Sequence, residues 1–192
     1  MKPSAPLSLL GSMLLATLVP DVARSEVLVD FGLNSTRVEA DIANFANYSS
    51  TYTSSSSGYH VGAEVRRALK QGNFGVRLEL EDVETKASLA ADNEHHLLIA
   101  LRAFDYKHAF TQKLSIGGFV GAARLDLATP AYGYWLGGAL EYDFSPHWAV
   151  SFDLRIGDKL ARDNLLPAVD QGSRPDNFYD LRGFALYLSH RF

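Results

Sequence analysis

Eight stretches of this chain alternate apolar and polar residues with a period of two, the period of a β-strand whose faces meet different surroundings. The clearest sets Trp148, Val150, Phe152, Leu154 and Ile156 against Ala149, Ser151, Asp153, Arg155 and Gly157. The same division holds over Val27 to Asn34, Tyr59 to Arg66, Phe74 to Glu81, His96 to Ala103, Leu114 to Ala123, Trp135 to Phe144 and Gly183 to Phe192. Connections are short near Lys70 to Gly72, Thr111 to Gln112 and Ser145 to His147. They are longer near Asp41 to Gly58, Thr85 to Glu94, Leu127 to Ala131 and Leu160 to Asn177. A weak repeat, Phe110 to Ile116 against Phe144 to Val150, pairs a turn with the same strand opening. The pattern predicts an all-β fold, an eight-stranded antiparallel up-and-down barrel with one tight rim and one loop-rich rim. Ala63 to Leu69 is rich in helix formers, but its alternation between Gly62 and Gly72 favours strand. Val38, Ile42 and Phe45 stand at helical spacing and suggest a short helix in a loop.

Periodicity alone does not say which face meets water, because soluble barrels alternate too. Three features point to a transmembrane barrel. The polar face is rich in Gly and Ala, as a narrow interior requires. Its cations are all read as Arg (Arg66, Arg77, Arg102, Arg155), facing Asp30, Glu64, Glu79, Glu81, Glu141, Asp143 and Asp153, and Arg forms bidentate pairs suited to burial. Aromatic residues gather at strand ends in two girdles. Tyr106, Phe110, Tyr142, Phe144, Trp148 and Phe192 lie near the tight rim, and Tyr59, Tyr132, Tyr134, Trp135, Phe178 and Tyr179 near the loop rim.

The first 25 residues differ. Lys2 precedes the apolar run Leu7 to Val19, and Ala23-Arg24-Ser25 puts small residues at the −3 and −1 positions of a cleavage site. The reading is a leader over 1–25, cut before Glu26, and a barrel domain over 26–192. That apolar run is too short for a spanning helix of about 20 residues. Without Lys2, Asp21 and Arg24, the 18 basic and 22 acidic residues become 16 and 21, a net charge of −5. This balance argues against nucleic-acid binding. The lack of cysteine excludes disulfides, thiolate metal sites and lipidated-cysteine anchors.

With its leader, eight alternating strands and terminal Phe184-Ala185-Leu186-Tyr187-Leu188-Ser189-His190-Arg191-Phe192, the chain resembles the small outer-membrane β-barrels of Gram-negative bacteria, the OmpA-transmembrane-domain and OmpX-like class. The resemblance implies location in the cell outer membrane. It also implies insertion by the barrel-assembly machinery, which would read Phe184, Leu186, Leu188 and Phe192; His190 departs from the more usual apolar residue. Lipid A deacylases of similar size carry His and Ser two residues apart, but no His here has Ser two residues after it. Ser145 and His147 have the reverse spacing and sit in a tight turn. Lipid A palmitoyltransferases begin with an amphipathic helix that Glu26 to Leu33 does not provide.

An eight-stranded interior is just wide enough for side chains to fill. The candidate interior charge network is Glu64, Arg66, Arg77, Glu79, Glu81, Arg102, Glu141, Asp153 and Arg155. It is read first as a set of satisfied pairs forming a polar plug, with a gated small-ion path or proton-sensitive switch as the alternative. No catalytic, cofactor-binding or metal site is assigned: His95 and His96 are adjacent on a strand and point to opposite faces. Ser49 to Ser57 reads as a low-complexity loop. Gly157 to Gly183 reads as a long charged loop that contacts lipopolysaccharide phosphates or a surface partner through Lys159, Arg162 and Arg174. The sequons at Asn34 and Asn47 mean little in a bacterial setting. The favoured function is a non-enzymatic, monomeric outer-membrane barrel with a structural or surface-interaction role and outer-membrane lipid and lipopolysaccharide as partners. A lipid A-modifying enzyme and a narrow small-solute channel are the alternatives.

Overall fold

The computed structural model describes residues 25–43, 49–85, 94–127, 130–162 and 177–192. The leader expected over 1–25 lies outside them apart from Ser25. Eight strands are present: β1 (Ser25–Ala43), β2 (Ser49–Leu69), β3 (Gly72–Thr85), β4 (Glu94–Ala109), β5 (Leu114–Asp126), β6 (Ala131–Asp143), β7 (Trp148–Arg162) and β8 (Asn177–Arg191). Each pairs antiparallel with the next, and β8 returns to β1, closing the barrel. Closure gives every strand two neighbours, as a bilayer demands because it offers backbone groups no water.

The tight rim is built by short polar turns. Thr111 Oγ1 accepts the amides of Lys113 and Leu114, and Ser145 Oγ accepts those of His147 and Trp148. The repeat seen in the sequence is therefore one hydroxyl-capped turn used twice. At the β2–β3 turn Gly72 has φ +147°, a conformation that disfavours any side chain.

Several expectations are corrected. Ser49 to Ser57 is strand, paired with β1 through Ser35 to Ala43. Val38 and Ile42 lie in β1 rather than a helix; Phe45 is outside the described residues. The segment expected as a loop from Gly157 is strand to Arg162 and again from Asn177. In each case long-range pairing supplies backbone hydrogen bonds that local composition does not reveal.

Polarity inverts along the barrel. In the lower part the outside is apolar, with Phe31, Val61, Leu78, Leu101, Val120, Leu140, Leu154 and Leu186 exposed. Towards the loop rim the outward positions become Arg37, Glu39, Asp82, Glu84, His95, Arg124, Asp126, Asp158, Asp180 and Arg182. The interior changes at the same height. Val38, Val83, Leu98, Leu125, Leu160 and Leu181 form a buried apolar cluster there, with Trp135 and Phe119. The physical cause is the outer solvent: a wall against acyl chains needs apolar residues outside, and a wall rising into water buries its apolar residues inside. Leu28 and Leu98, on the face read as polar, are buried inward.

Candidate functional site: the barrel interior

Below the apolar cluster the barrel is filled with ionic side chains. All nine residues of the expected network are buried inside it. Alternation puts them there, since residues two apart share a face: Glu64 and Arg66 on β2, Arg77, Glu79 and Glu81 on β3, Asp153 and Arg155 on β7. Asp30 of β1 joins them.

Nearest the tight rim, Arg66 meets Glu141 through two parallel hydrogen bonds, Nη1 to Oε1 at 2.6 Å and Nη2 to Oε2 at 2.8 Å. Its Nε donates to Glu64 at 2.9 Å, and Lys107 Nζ donates to Glu141 at 2.9 Å. In the middle, Arg77 donates to Asp30 at 2.6 Å and lies 3.0 Å from Glu79. Arg102 bridges Glu79, Asp105 and Asp153. Tyr187 donates its hydroxyl to Asp153 at 3.0 Å, under the Arg77 guanidinium. Above them Arg155 pairs with Glu81, and the His60 ring faces Asp30 through Nε2 at 2.8 Å and Glu81 through Nδ1 at 3.0 Å. Trp135 Nε1 donates to Glu79 at 2.9 Å, joining the ionic part to the apolar cluster.

Sequence reasoning missed Asp105 and Lys107. Ala103 is an extra residue in β4: Val76 stands against both Ala103 and Phe104, and the register shifts between Arg102 and Phe104. This bulge reverses the alternation, so inward positions run Leu98, Ala100, Arg102 and then Asp105, Lys107. The reversal is legible as apolar Phe104 and Tyr106 alternating with charged Asp105 and Lys107 just past the expected strand end. Lys107 also corrects the reading that every interior cation is Arg. Trp135, read as a girdle residue, is 1% exposed inside the barrel.

Between β2 and β3 the backbone ladder begins only at His60 and Glu81. Above it side chains take over. Asn34 accepts the Gly58 amide at 2.8 Å and donates to Glu81 at 2.9 Å, while Ser54 and Ser56 bond the Glu84 carbonyl and amide. Asn34→Ala is expected to cost about 1–3 kcal/mol, the penalty for stranding buried polar groups. Hydrogen exchange at the Gly58 amide checks this: it should accelerate, while exchange at Val61 stays slow.

The other expected residues fall as follows. Phe184, Leu186 and Phe192 are exposed on the outer wall and Leu188 shares their face. Lys159 and Arg162 lie in β7, and their side chains and all of Arg174 are outside the described residues. Ser145 Oγ is occupied by the turn, and His147 Nδ1 faces the Arg191 carbonyl at 3.3 Å. His95 faces Asp82 at 3.0 Å on the outer rim. His60, Glu79 and Glu81 bring possible ligand atoms within 4.8 Å of one another. Guanidinium groups of Arg77, Arg102 and Arg155 already engage those carboxylates, so a metal ion would have to displace cations.

No protein-family model matches the chain, and no curated protein matches it. Solved structures do. Ail, the attachment invasion locus protein of Yersinia pestis, aligns at TM-score 0.56 and 12% identity over 88% of this chain and 99% of that one. A complex of Ail with the heparin analogue sucrose octasulfate aligns at TM-score 0.52 and 11% identity, over the same shares of the two chains. The outer membrane protein AlkL in lipid bilayers aligns at TM-score 0.50 and 12% identity, covering 88% of this chain and 90% of that one. Register, exterior belt and these neighbours agree on the architecture: the chain has the closed eight-stranded fold of small outer-membrane β-barrels.

Proposed function

We propose that the protein is a non-conducting, non-enzymatic barrel of the outer membrane with a structural or surface-interaction role. The observation that supports it best is the double filling of the interior. A bonded ionic lattice occupies the lower part, and the buried Val38, Val83, Leu98, Leu125, Leu160 and Leu181 cluster closes the end towards the loops. A solute crossing from rim to rim would have to break multidentate ion pairs and then cross a dry apolar layer, each a barrier of several kcal/mol. The Ser145 and His147 pair supports a turn, which favours the non-enzymatic reading over a lipid-modifying enzyme.

The protein inserts through the outward Phe184, Leu186, Leu188 and Phe192 edge of β8, which serves as the signal for the barrel-assembly machinery, after removal of residues 1–25. It acts as a monomer among lipopolysaccharide and phospholipid and takes no nucleic acid. The test is planar-bilayer recording of refolded protein whose unboiled form migrates ahead of its boiled form on a denaturing gel. Folded protein should give a flat baseline; resolved unitary currents would overturn the closed reading in favour of a channel. Lipid A acylation that changes with the gene would overturn the non-enzymatic one.

A further inference from the structure

We propose that the outer wall of β6, β7 and β8, with Arg37 of β1, is a binding site for a phosphate-bearing acylated glycolipid of the outer leaflet. The proposal rests on the surface-interaction reading above, with the loop-rich rim turned towards the outer leaflet. Two neighbouring hollows carry it, and Arg182 lines both. The lower is an apolar depression of about 530 Å³ lined chiefly by Leu136, Gly138, Leu154, Ile156, Arg182 and Gly183. It exists because Gly138 faces outward without a side chain, directly opposite the equally bare Gly118. The upper is a polar cleft of about 120 Å³ between Arg37, Glu39, Asp180 and Arg182. Arg182 stands where the wall turns from apolar to charged, one strand from Ile156 and two positions from Phe184.

Arg37 and Arg182 are direct cross-strand partners on the outer face. Like charges so arranged repel, their Cβ atoms being about 5 Å apart. Neither makes an ion pair with a described residue. Two guanidiniums at that spacing complement a phosphate monoester, which carries close to two negative charges and three acceptor oxygens. A phosphodiester headgroup carries one charge and would leave one Arg uncompensated. Glu39 and Asp180, opposed to each other one row further from the apolar band, disfavour a second anion there, and Glu39 can accept hydrogen bonds from sugar hydroxyls. Acyl chain below, phosphate at the boundary and sugar above match a phosphorylated glycolipid in order and in charge.

The experiment uses folded protein in detergent micelles, with heat-modifiable migration as the folding check. Native mass spectrometry reads retention of bisphosphorylated lipid A, dephosphorylated lipid A and phosphatidylglycerol. Wild type should retain the bisphosphorylated lipid best. The R37Q/R182Q double variant should lose about tenfold or more of that affinity, the loss expected for charged hydrogen bonds. R124Q, whose Arg is paired with Asp126 at 2.7 Å, should retain it unchanged. G138L, whose Cβ meets only the Gly117 carbonyl at 3.7 Å, fills the depression without disturbing the wall and should weaken retention with both arginines intact. Equal retention by wild type and R37Q/R182Q would overturn the site. Phosphatidylglycerol held as tightly as lipid A, with the same Arg dependence, would overturn the glycolipid assignment. A chain that never acquires heat-modifiable migration would instead contradict the membrane-barrel reading beneath it.

Discussion

Arg102→Met should lower the stability of the folded barrel by about 3–5 kcal/mol, the cost of stranding buried charges. Loss of this side chain unbalances three buried acids at once. Arg102 serves Glu79, Asp105 and Asp153 together and stacks 3.5 Å from the Phe119 ring centroid. The sign of the imbalance matters. Seven interior carboxylates (Asp30, Glu64, Glu79, Glu81, Asp105, Glu141, Asp153) face five fixed cations (Arg66, Arg77, Arg102, Lys107, Arg155), two acids in excess before His60 is counted. Removing a cation deepens that excess, whereas Glu79→Gln relieves it. Urea midpoints in detergent micelles should therefore fall further for Arg102→Met than for Glu79→Gln. Adding Asp153→Asn to Arg102→Met should recover part of the loss, because Asp153 is a direct partner of Arg102 and is the charge its removal strands. Equal losses for the two single variants would show that charge balance is not what organises the interior.

The second large effect concerns the outer wall. Leu101→Arg, in the middle of the apolar band, should cost about 2–4 kcal/mol, while Glu84→Arg, above it, should cost no more than about 1 kcal/mol. Leu101 is 45% exposed outside the barrel, so a soluble protein would accept Arg there readily. Refolding into lipid vesicles followed by denaturant titration separates these cases. A neutral Leu101→Arg would mean that the belt does not meet hydrocarbon.

The chemistry of the strands was legible where alternation was uninterrupted. The faces of Trp148 to Gly157 and Phe74 to Glu81 could be written down residue by residue, because a two-residue period leaves one choice. Legibility ended where the period slipped. The extra residue at Ala103 hid Asp105 and Lys107, and the shift between Gly157 and Leu160 turned Leu160 inward inside an expected loop. It also ended where local composition misled. Ser54 and Ser56 are poor strand formers, yet they sit in β2 because their hydroxyls bond the Glu84 backbone across a seam where the ladder has stopped. The inversion of polarity was hidden for a different reason. Leu98 and Val38 alternate like their neighbours, and only height along the barrel axis tells which side of the wall is dry.

The central claim is that the exterior is dry against lipid up to the row of Arg37, Asp82, Arg124 and Arg182, and wet above it. The chain has no native cysteine, so single cysteines can be placed at will and spin-labelled in vesicles. Power saturation with oxygen and a water-soluble nickel chelate measures the claim directly. Labels at Leu78, Leu101, Leu140 and Leu154 should favour oxygen, and labels at Glu39, Glu84, Asp126 and Asp158 should favour nickel. Nickel-favouring signals at the four leucines would contradict the account.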